Sequence, residues 1–132
     1  MTRILIVEDD FTSRLILQSF LSRYGECHIA VNGKEAVEAF RKAADNGSPY
    51  DLICMDIMMP EMDGREAVKQ VRVLEEARGI TSTHGAKIIM TTALADVKEI
   101  LQSFHELCDA YLFKPIDTAK LLLALKSFEL AE

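Results

Sequence analysis

The groups best able to do chemistry in this 132-residue chain are carboxylates, a lysine and threonines that stand directly after short apolar runs. No histidine or cysteine accompanies them at ligand spacing, so the set offers hard oxygen ligands, which suit Mg²⁺. A carboxylate nucleophile beside a divalent cation, with an ammonium and a hydroxyl to hold anionic oxygens, is the equipment for phosphoryl transfer. The groups are Glu8, Asp9, Asp10, Asp56, Thr91, Thr92 and Lys114.

The hydrophobic pattern predicts the framework that brings these groups together. Short apolar runs alternate five times with helical periodicity, and no hairpin signal separates the runs. This order predicts an α/β fold with a doubly wound, five-stranded parallel sheet, and the continuous apolarity of the runs indicates helices on both faces. The predicted strands are 3–7, 27–31, 51–55, 87–91 and 110–113, and the predicted helices are 11–24, 34–44, 64–77, about 97–107 and 118–130.

The carboxyl ends of the strands are where such sheets place their functional crevice. Four carboxylates at that edge would raise one another's pKa unless a cation compensates them, and Lys114 alone is insufficient. The sequence therefore predicts one bound Mg²⁺. Taken singly, each group has a plainer explanation: Asp9 or Asp10 could only cap the following helix, and Thr91 and Thr92 could only satisfy backbone groups.

Composition narrows the class of protein. A net charge of −6 disfavours nucleic acid or an acidic membrane surface as partner. Three widely spaced cysteines suggest reduced thiols, and the amino-terminal apolar run is too short for a signal peptide or a membrane span, so a cytoplasmic protein is expected. Neither a glycine-rich phosphate cradle nor a Ser-His-Asp set is present. The length suits one domain.

Five stretches together resemble the receiver domain of response regulators from two-component signal transduction: ILIVEDD, VNGKEAVEAF, DLICMDIMMPEMDG, IIMTTA and DAYLFKPI. The resemblance runs from about Arg3 to the last helix. It implies a (βα)5 flavodoxin-like fold with strand order 2-1-3-4-5, and a single receiver domain over 1–132 without an output domain. It also implies a protein that promotes only its own phosphorylation and dephosphorylation and is not otherwise an enzyme.

The resemblance implies roles for the acidic residues. Asp56 would accept a phosphoryl group from a phosphohistidine of a sensor histidine kinase or histidine phosphotransfer protein, in a Mg²⁺-dependent reaction. Asp9 would bind the metal directly and Glu8 through water, with Asp56 and the backbone carbonyl of Met58 completing the site. A one-residue slip would replace the Glu8/Asp9 pair by Asp9/Asp10, and both pairs stay open.

The resemblance also implies a switch. Lys114 would pair with the acyl phosphate, and the peptide bond between Lys114 and Pro115 would be cis. Thr92 would be drawn to the phosphoryl oxygens, which leaves room for Tyr111 to turn inward. Phosphorylation of Asp56 would thereby change the surface around Tyr111.

Two apolar residues bear on how long the phosphorylated state lasts. Met58 and Leu94 each lie two positions after a site residue, where many relatives place groups that help to orient attacking water. A long-lived phosphorylated state is therefore expected.

The last helix carries more apolar residues than one buried stripe requires. With Leu121, Leu125 and Phe128 against the sheet, Leu123 and Leu130 fall near the opposite side. Scattered exposed leucines are ordinary on protein surfaces. The alternative is that the surface of the fourth helix, fifth strand and fifth helix docks a protein target or a second copy of the chain as a homodimer.

Two other classes of protein share parts of this pattern. A haloacid-dehalogenase-like phosphatase also uses an aspartate nucleophile and Mg²⁺, but usually has a second aspartate where this chain has Met58. A flavodoxin-like cofactor-binding module shares the fold, but needs a phosphate cradle after the first strand, where this chain has three acids.

Overall fold

One parallel sheet organises the computed structural model, which describes residues 2–57, 59, 62–80, 84–93 and 107–132. The strand order is β2-β1-β3-β4-β5, as predicted. The helix expected around 97–107 lies almost entirely outside the described residues. The elements are β1 Arg3–Val7, α1 Phe11–Leu21, β2 Glu26–Ala30, α2 Gly33–Asp45, β3 Leu52–Asp56, α3 Gly64–Ala77, β4 Lys87–Thr92, β5 Ala110–Phe113 and α4 Thr118–Ser127.

The central strands are buried on both faces, which explains their continuous apolar sequences. Successive side chains of a strand point to opposite faces, so each strand contributes to two cores. Leu5 and Ile53 belong to the cluster covered by α2 and α3. Ile6 and Cys54 belong to the cluster covered by α1 and α4. The helices therefore lie in two layers, as the doubly wound prediction requires.

Each described helix begins with a side-chain cap that follows closely on a strand end. The carboxylates of Asp10, Asp63 and Asp117 and the amide oxygen of Asn32 accept hydrogen bonds from backbone N–H groups in the first turn. These bonds satisfy donors that the helix itself leaves unpaired. Each chain segment therefore turns from strand to helix close to the edge where the candidate site lies.

The last helix corrects one expectation. It ends at Ser127, so Leu130 is beyond the helix and the helical period does not predict its direction. Leu130 is partly buried and packs against the cluster under α1 and α4, contrary to the prediction that it faces away from the sheet. Leu123 is 66% exposed, as predicted.

An ion-paired cluster ties α3 to the amino-terminal ends of β4 and β5, opposite the candidate site. The Arg72 guanidinium contacts Glu75 at 2.6 Å and Asp109 at 3.2 Å, and donates to the carbonyl oxygens of Ala86 and Leu107. The other Glu75 oxygen accepts the Ala86 N–H at 2.7 Å. We call this group the Arg72 cluster.

Among the described residues, no helix has both the length and the apolar character needed to cross a membrane.

Candidate functional site

Three carboxylates meet at the carboxyl ends of β1 and β3. These strands are neighbours, and Val7 pairs with Met55, so the next residues along, Glu8 and Asp56, lie beside each other. One oxygen from each of Glu8, Asp9 and Asp56 lies within 4.8 Å of the others. Glu8 is fully buried and Asp56 is 3% exposed, whereas Asp9 is open to solvent. The structure thus brings together residues that are 47 or 48 positions apart in sequence.

The Lys114 ammonium reaches this group from the end of β5. Its Nζ lies 2.5 Å from Glu8 Oε1 and 3.3 Å from Asp56 Oδ2. Its backbone N–H donates to the Thr92 carbonyl at 2.7 Å, which fixes the lysine against the end of β4. The peptide bond between Lys114 and Pro115 is cis, the geometry that the resemblance implies.

The charges at this edge are unbalanced without a metal. Burial raises the pKa of Asp56 to about 8, with the neighbouring Glu8 acting in the same direction and Lys114 acting against it. Burial acts to lower the pKa of Lys114, but its contacts with Glu8 and Asp56 outweigh that effect, so its pKa is raised. Among the residues that the structure describes, one ammonium thus faces a cluster of three carboxylates, two of them buried. A divalent cation would offset this excess of negative charge.

The donor set fits Mg²⁺. Glu8, Asp9 and Asp56 supply oxygen atoms only, and the exposure of Asp9 leaves one side open for the waters that Mg²⁺ retains. Asp10 is placed differently, because its Oδ2 accepts the Ser13 N–H at 2.9 Å as the cap of α1. Capping was the alternative that the sequence left open. The geometry therefore favours the Glu8/Asp9 pair, while Met58 lies outside the described residues.

The threonines at the end of β4 are buried beside β3, the strand that ends at Asp56. Thr91 pairs with Asp56 across β3 and β4, and Thr92 is the next residue along. Tyr111, the predicted partner in the switch, is 46% exposed on β5, with its ring edge-to-face with Phe113 at 6.2 Å. The Tyr111 side chain is thus directed outward in this structure.

Helix α3 begins directly against the backbone of Asp56. The Gly64 N–H donates to the Ile57 carbonyl at 2.9 Å. A Cβ atom on Gly64 would lie 2.2 Å from the carbonyl oxygen of Asp56, so only glycine fits. Neither this contact nor the close approach of Lys114 to Glu8 is predictable from the sequence pattern, because both depend on packing between elements.

Known proteins match nearly the whole chain. A family model described as the response regulator receiver domain matches residues 4–126. The two-component response regulator ORR41 of Oryza sativa subsp. japonica is 35% identical over 99% of this chain and 97% of its own length. Hybrid signal transduction histidine kinase B of Dictyostelium discoideum is 38% identical over 92% of this chain. The chain spans only 6% to 14% of the length of the first histidine kinases that it matches.

Solved structures share the fold. The Saccharomyces cerevisiae Ssk1 receiver domain, crystallised with the histidine phosphotransfer protein Ypd1, is 30% identical, with a TM-score of 0.80 and coverage of 96% of this chain and 88% of that one. Thermotoga maritima TrrA, in complex with Mg(2+)-BeF, is 31% identical, with a TM-score of 0.75 and coverage of 97% and 99%. Sequence and fold thus lead to the same conclusion: the chain belongs to the response regulator receiver domain family of two-component signalling.

Proposed function

We propose that this receiver accepts a phosphoryl group onto Asp56 from a phosphohistidine of a sensor histidine kinase or a histidine phosphotransfer protein, in a Mg²⁺-dependent reaction. The observation that carries the proposal is a buried aspartate at the edge of the sheet, paired with Lys114 and clustered with Glu8 and Asp9. These three carboxylates would hold the metal, Asp9 and Asp56 directly and Glu8 through water. Mg²⁺ would supply the positive charge that keeps Asp56 ionised and offsets the charge of the incoming group.

The transfer forms one bond and breaks one. A carboxylate oxygen of Asp56 attacks phosphorus, and the phosphorus–nitrogen bond of the donor breaks with its electron pair returning to the imidazole. The product is an acyl phosphate on Asp56 and a free histidine. Lys114 is close enough to hold an oxygen of the transferred group, because its ammonium already lies 3.3 Å from the Asp56 carboxylate.

The charge of the phosphoryl group would then change the conformation of the surface around Tyr111. A phosphoryl group adds roughly −1.5 to −2 charge and three acceptor oxygens, for which the buried Thr92 hydroxyl is a donor. Movement of Thr92 would make room for the exposed Tyr111 to turn inward. The proposed output surface includes Tyr111, Phe113 and Leu123, which are exposed on β5 and α4. A protein target or a second copy of the chain would dock there.

The proposed activity is stoichiometric. The chain would promote its own phosphorylation and dephosphorylation without turning over an external substrate. A long-lived phosphorylated state remains a prediction, because Met58 and Leu94 lie outside the described residues. A cytoplasmic location belongs to the same proposal and is supported by three cysteines that form no disulfide.

Helix α1 offers the donor a docking surface. Phe11 and Leu15 lie in the first two turns of α1, next to the acidic cluster, and are 66% and 51% exposed. A groove of about 460 Å³ runs along this helix towards Thr118, and Leu15, Ile16 and Phe20 form its apolar part. Exposed apolar surface of this kind often marks a protein interface. We assign this face to the histidine-bearing donor, and the complex of Ypd1 with the similar Ssk1 receiver supports a partner of that type.

The test is acetyl phosphate with Mg²⁺, followed by intact mass measurement. The protein should gain one phosphoryl mass, and Asp56→Asn should gain none. Asp51→Asn is the matched control, because Asp51 immediately precedes the same strand at its opposite end. A mass gain retained in Asp56→Asn would disprove the assignment, and steady turnover of a generic phosphomonoester would favour a phosphatase.

A further inference from the structure

A hydrogen bond joins the start of α2 to the loop that follows the acceptor strand. The Gly33 N–H donates to the Met62 carbonyl at 3.0 Å. Gly33 is the buried first residue of α2, and Met62 lies near the end of residues 57–63, which we call the acceptor loop. The contact connects two parts of the chain that are 29 residues apart in sequence.

Only glycine fits at position 33. A Cβ atom there would lie 2.3 Å from the Met62 oxygen, 3.0 Å from the Met62 carbonyl carbon and 3.1 Å from the Asp63 oxygen. All three are backbone atoms, which cannot rotate aside as a side chain can. The backbone of Gly33 is outside the left-handed region, so space and not conformation demands the glycine.

The acceptor loop is held at both ends. At its start, the Ile57 N–H donates to the Thr91 carbonyl and the Ile57 carbonyl accepts from Gly64, both at 2.9 Å. At its end, Asp63 caps α3 by accepting the Glu66 N–H at 3.1 Å. The Gly33 contact lies next to this cap. Gly64, the residue after Asp63, packs against the carbonyl oxygen of Asp56, so a displacement at Met62 and Asp63 would be passed on to the backbone of Asp56.

We propose that Gly33 is a positioning residue for metal binding at the acidic cluster, acting through Met62, Asp63 and Gly64 on the backbone of Asp56. This inference rests on the proposed function, which places Asp56 and the backbone carbonyl of Met58 at the metal. A metal site tolerates little displacement of its ligands, and disturbing the groups that hold ligands in place typically weakens binding about 10- to 100-fold.

The first experiment compares Gly33→Ala with Gly25→Ala. Gly25 is a matched control, since its Cβ would lie 2.3 Å from the Thr2 carbonyl oxygen at the opposite end of the sheet. Binding of Mn²⁺, as a probe for Mg²⁺, is followed by the loss of the free-ion electron paramagnetic resonance signal, and thermal midpoints are measured in metal-free buffer. We expect Gly33→Ala to weaken Mn²⁺ binding about 10-fold and Gly25→Ala to change it less than about 2-fold.

Two results would overturn the inference: wild-type Mn²⁺ affinity in a folded Gly33→Ala protein, or equal weakening in both variants, which would indicate general loosening. The proposed function is tested separately by the wild-type protein. If wild type neither binds Mn²⁺ nor gains a phosphoryl group, the proposed function itself fails. If wild type does both and Gly33→Ala binds normally, only the positioning role fails.

A second measurement needs no variant. If the Gly33 contact favours metal binding, bound metal must favour the contact to the same extent. Mg²⁺ should therefore slow hydrogen exchange of the Gly33 amide severalfold. The Glu26 amide, which donates to the Thr2 carbonyl at 2.9 Å, is the control at the far end of the sheet and should change less. Equal slowing at both amides, or none at Gly33, would contradict the inference.

Discussion

At the scale of single residues, the structure shows why one aspartate is set apart from the other acids. Asp9 is solvent-exposed and Asp10 caps a helix, whereas Asp56 is buried against Glu8 and Lys114. Its raised pKa means that the folded, metal-free protein disfavours its ionised form. The residue proposed to react is therefore also one whose charge destabilises the fold.

This cost should depend on pH. A carboxyl group whose folded pKa of about 8 lies above its unfolded value of about 3.9 stabilises the fold less as pH rises from about 4 to 8. Asp56→Asn has no group to ionise there. In metal-free buffer with chelator, the thermal midpoint of Asp56→Asn should exceed that of wild type by a few degrees near pH 8 and by little near pH 4.

The difference between the two proteins is the quantity to follow, because other groups titrate in both. Asp51→Asn, the same substitution at an exposed position before β3, serves as the control. A difference that stays constant between pH 4 and pH 8 would contradict the electrostatic explanation.

At the scale of elements, helix α1 begins at one end of the sheet and the Arg72 cluster lies at the other, and the two regions have different roles. Helix α1 starts at the acidic cluster and exposes apolar side chains, whereas the Arg72 cluster holds α3, β4 and β5 together at the far end of the sheet. The first is suited to contact a partner and the second to maintain the scaffold. Substitutions in the two regions should therefore have different consequences.

Leu15→Arg should slow phosphoryl transfer from a phosphorylated histidine phosphotransfer protein at least about 10-fold, because a buried or unpaired charge in an interface costs well over 1 kcal/mol. Phosphorylation by acetyl phosphate should be unchanged, because that donor needs no docking surface. Val73→Arg, at an exposed valine of α3, is the control. Equal slowing with both donors would place the effect in the site and not in docking.

Arg72→Met should lower the free energy of unfolding by about 3 to 5 kcal/mol, because it leaves the Glu75 carboxylate buried without its ion-pair partner. Arg41→Met, which removes an exposed pair with Glu38, should cost about 0 to 1 kcal/mol. Urea unfolding measures both. Similar losses in the two variants would show that burial of the Arg72 cluster contributes little.

At the scale of the whole molecule, metal binding at the proposed site should stabilise the folded state. A ligand that binds only the folded state stabilises it, and a concentration 100 times the dissociation constant adds about 2.7 kcal/mol. Mg²⁺ should therefore raise the free energy of unfolding relative to Na⁺ at the same ionic strength. Because Glu8 and Asp9 follow β1 and Asp56 ends β3, this effect requires these two neighbouring strands to be formed and paired.

Paired variants test which acids bind the metal. Asp9→Asn should lose most of the Mg²⁺-dependent stabilisation. Asp10→Asn should keep it, because Asp10 caps α1 and asparagine caps a helix about as well. Loss of the stabilisation in Asp10→Asn would instead favour the alternative register, with Asp9 and Asp10 as the metal pair.

Much of this architecture is predictable from local sequence patterns. The residues of β1, α3 and β5 agree with the predicted bounds, and the other strands differ by one residue at one or both ends. The placement of acids, threonines and lysine at one edge follows from the rule for parallel sheets. The strands are predictable because a strand that is buried on both faces must be apolar along its length, however the neighbouring side chains pack.

Sequence alone determined the class of fold, the edge of the sheet where the candidate site residues gather, and the family to which the chain belongs. Tertiary structure decided that Asp10 is a cap, that Leu130 turns back to the core, and that Gly33 touches the acceptor loop. The reason is physical: periodicity and composition reflect burial along one element. A contact between elements depends on strand register and close packing, which no local stretch of sequence contains.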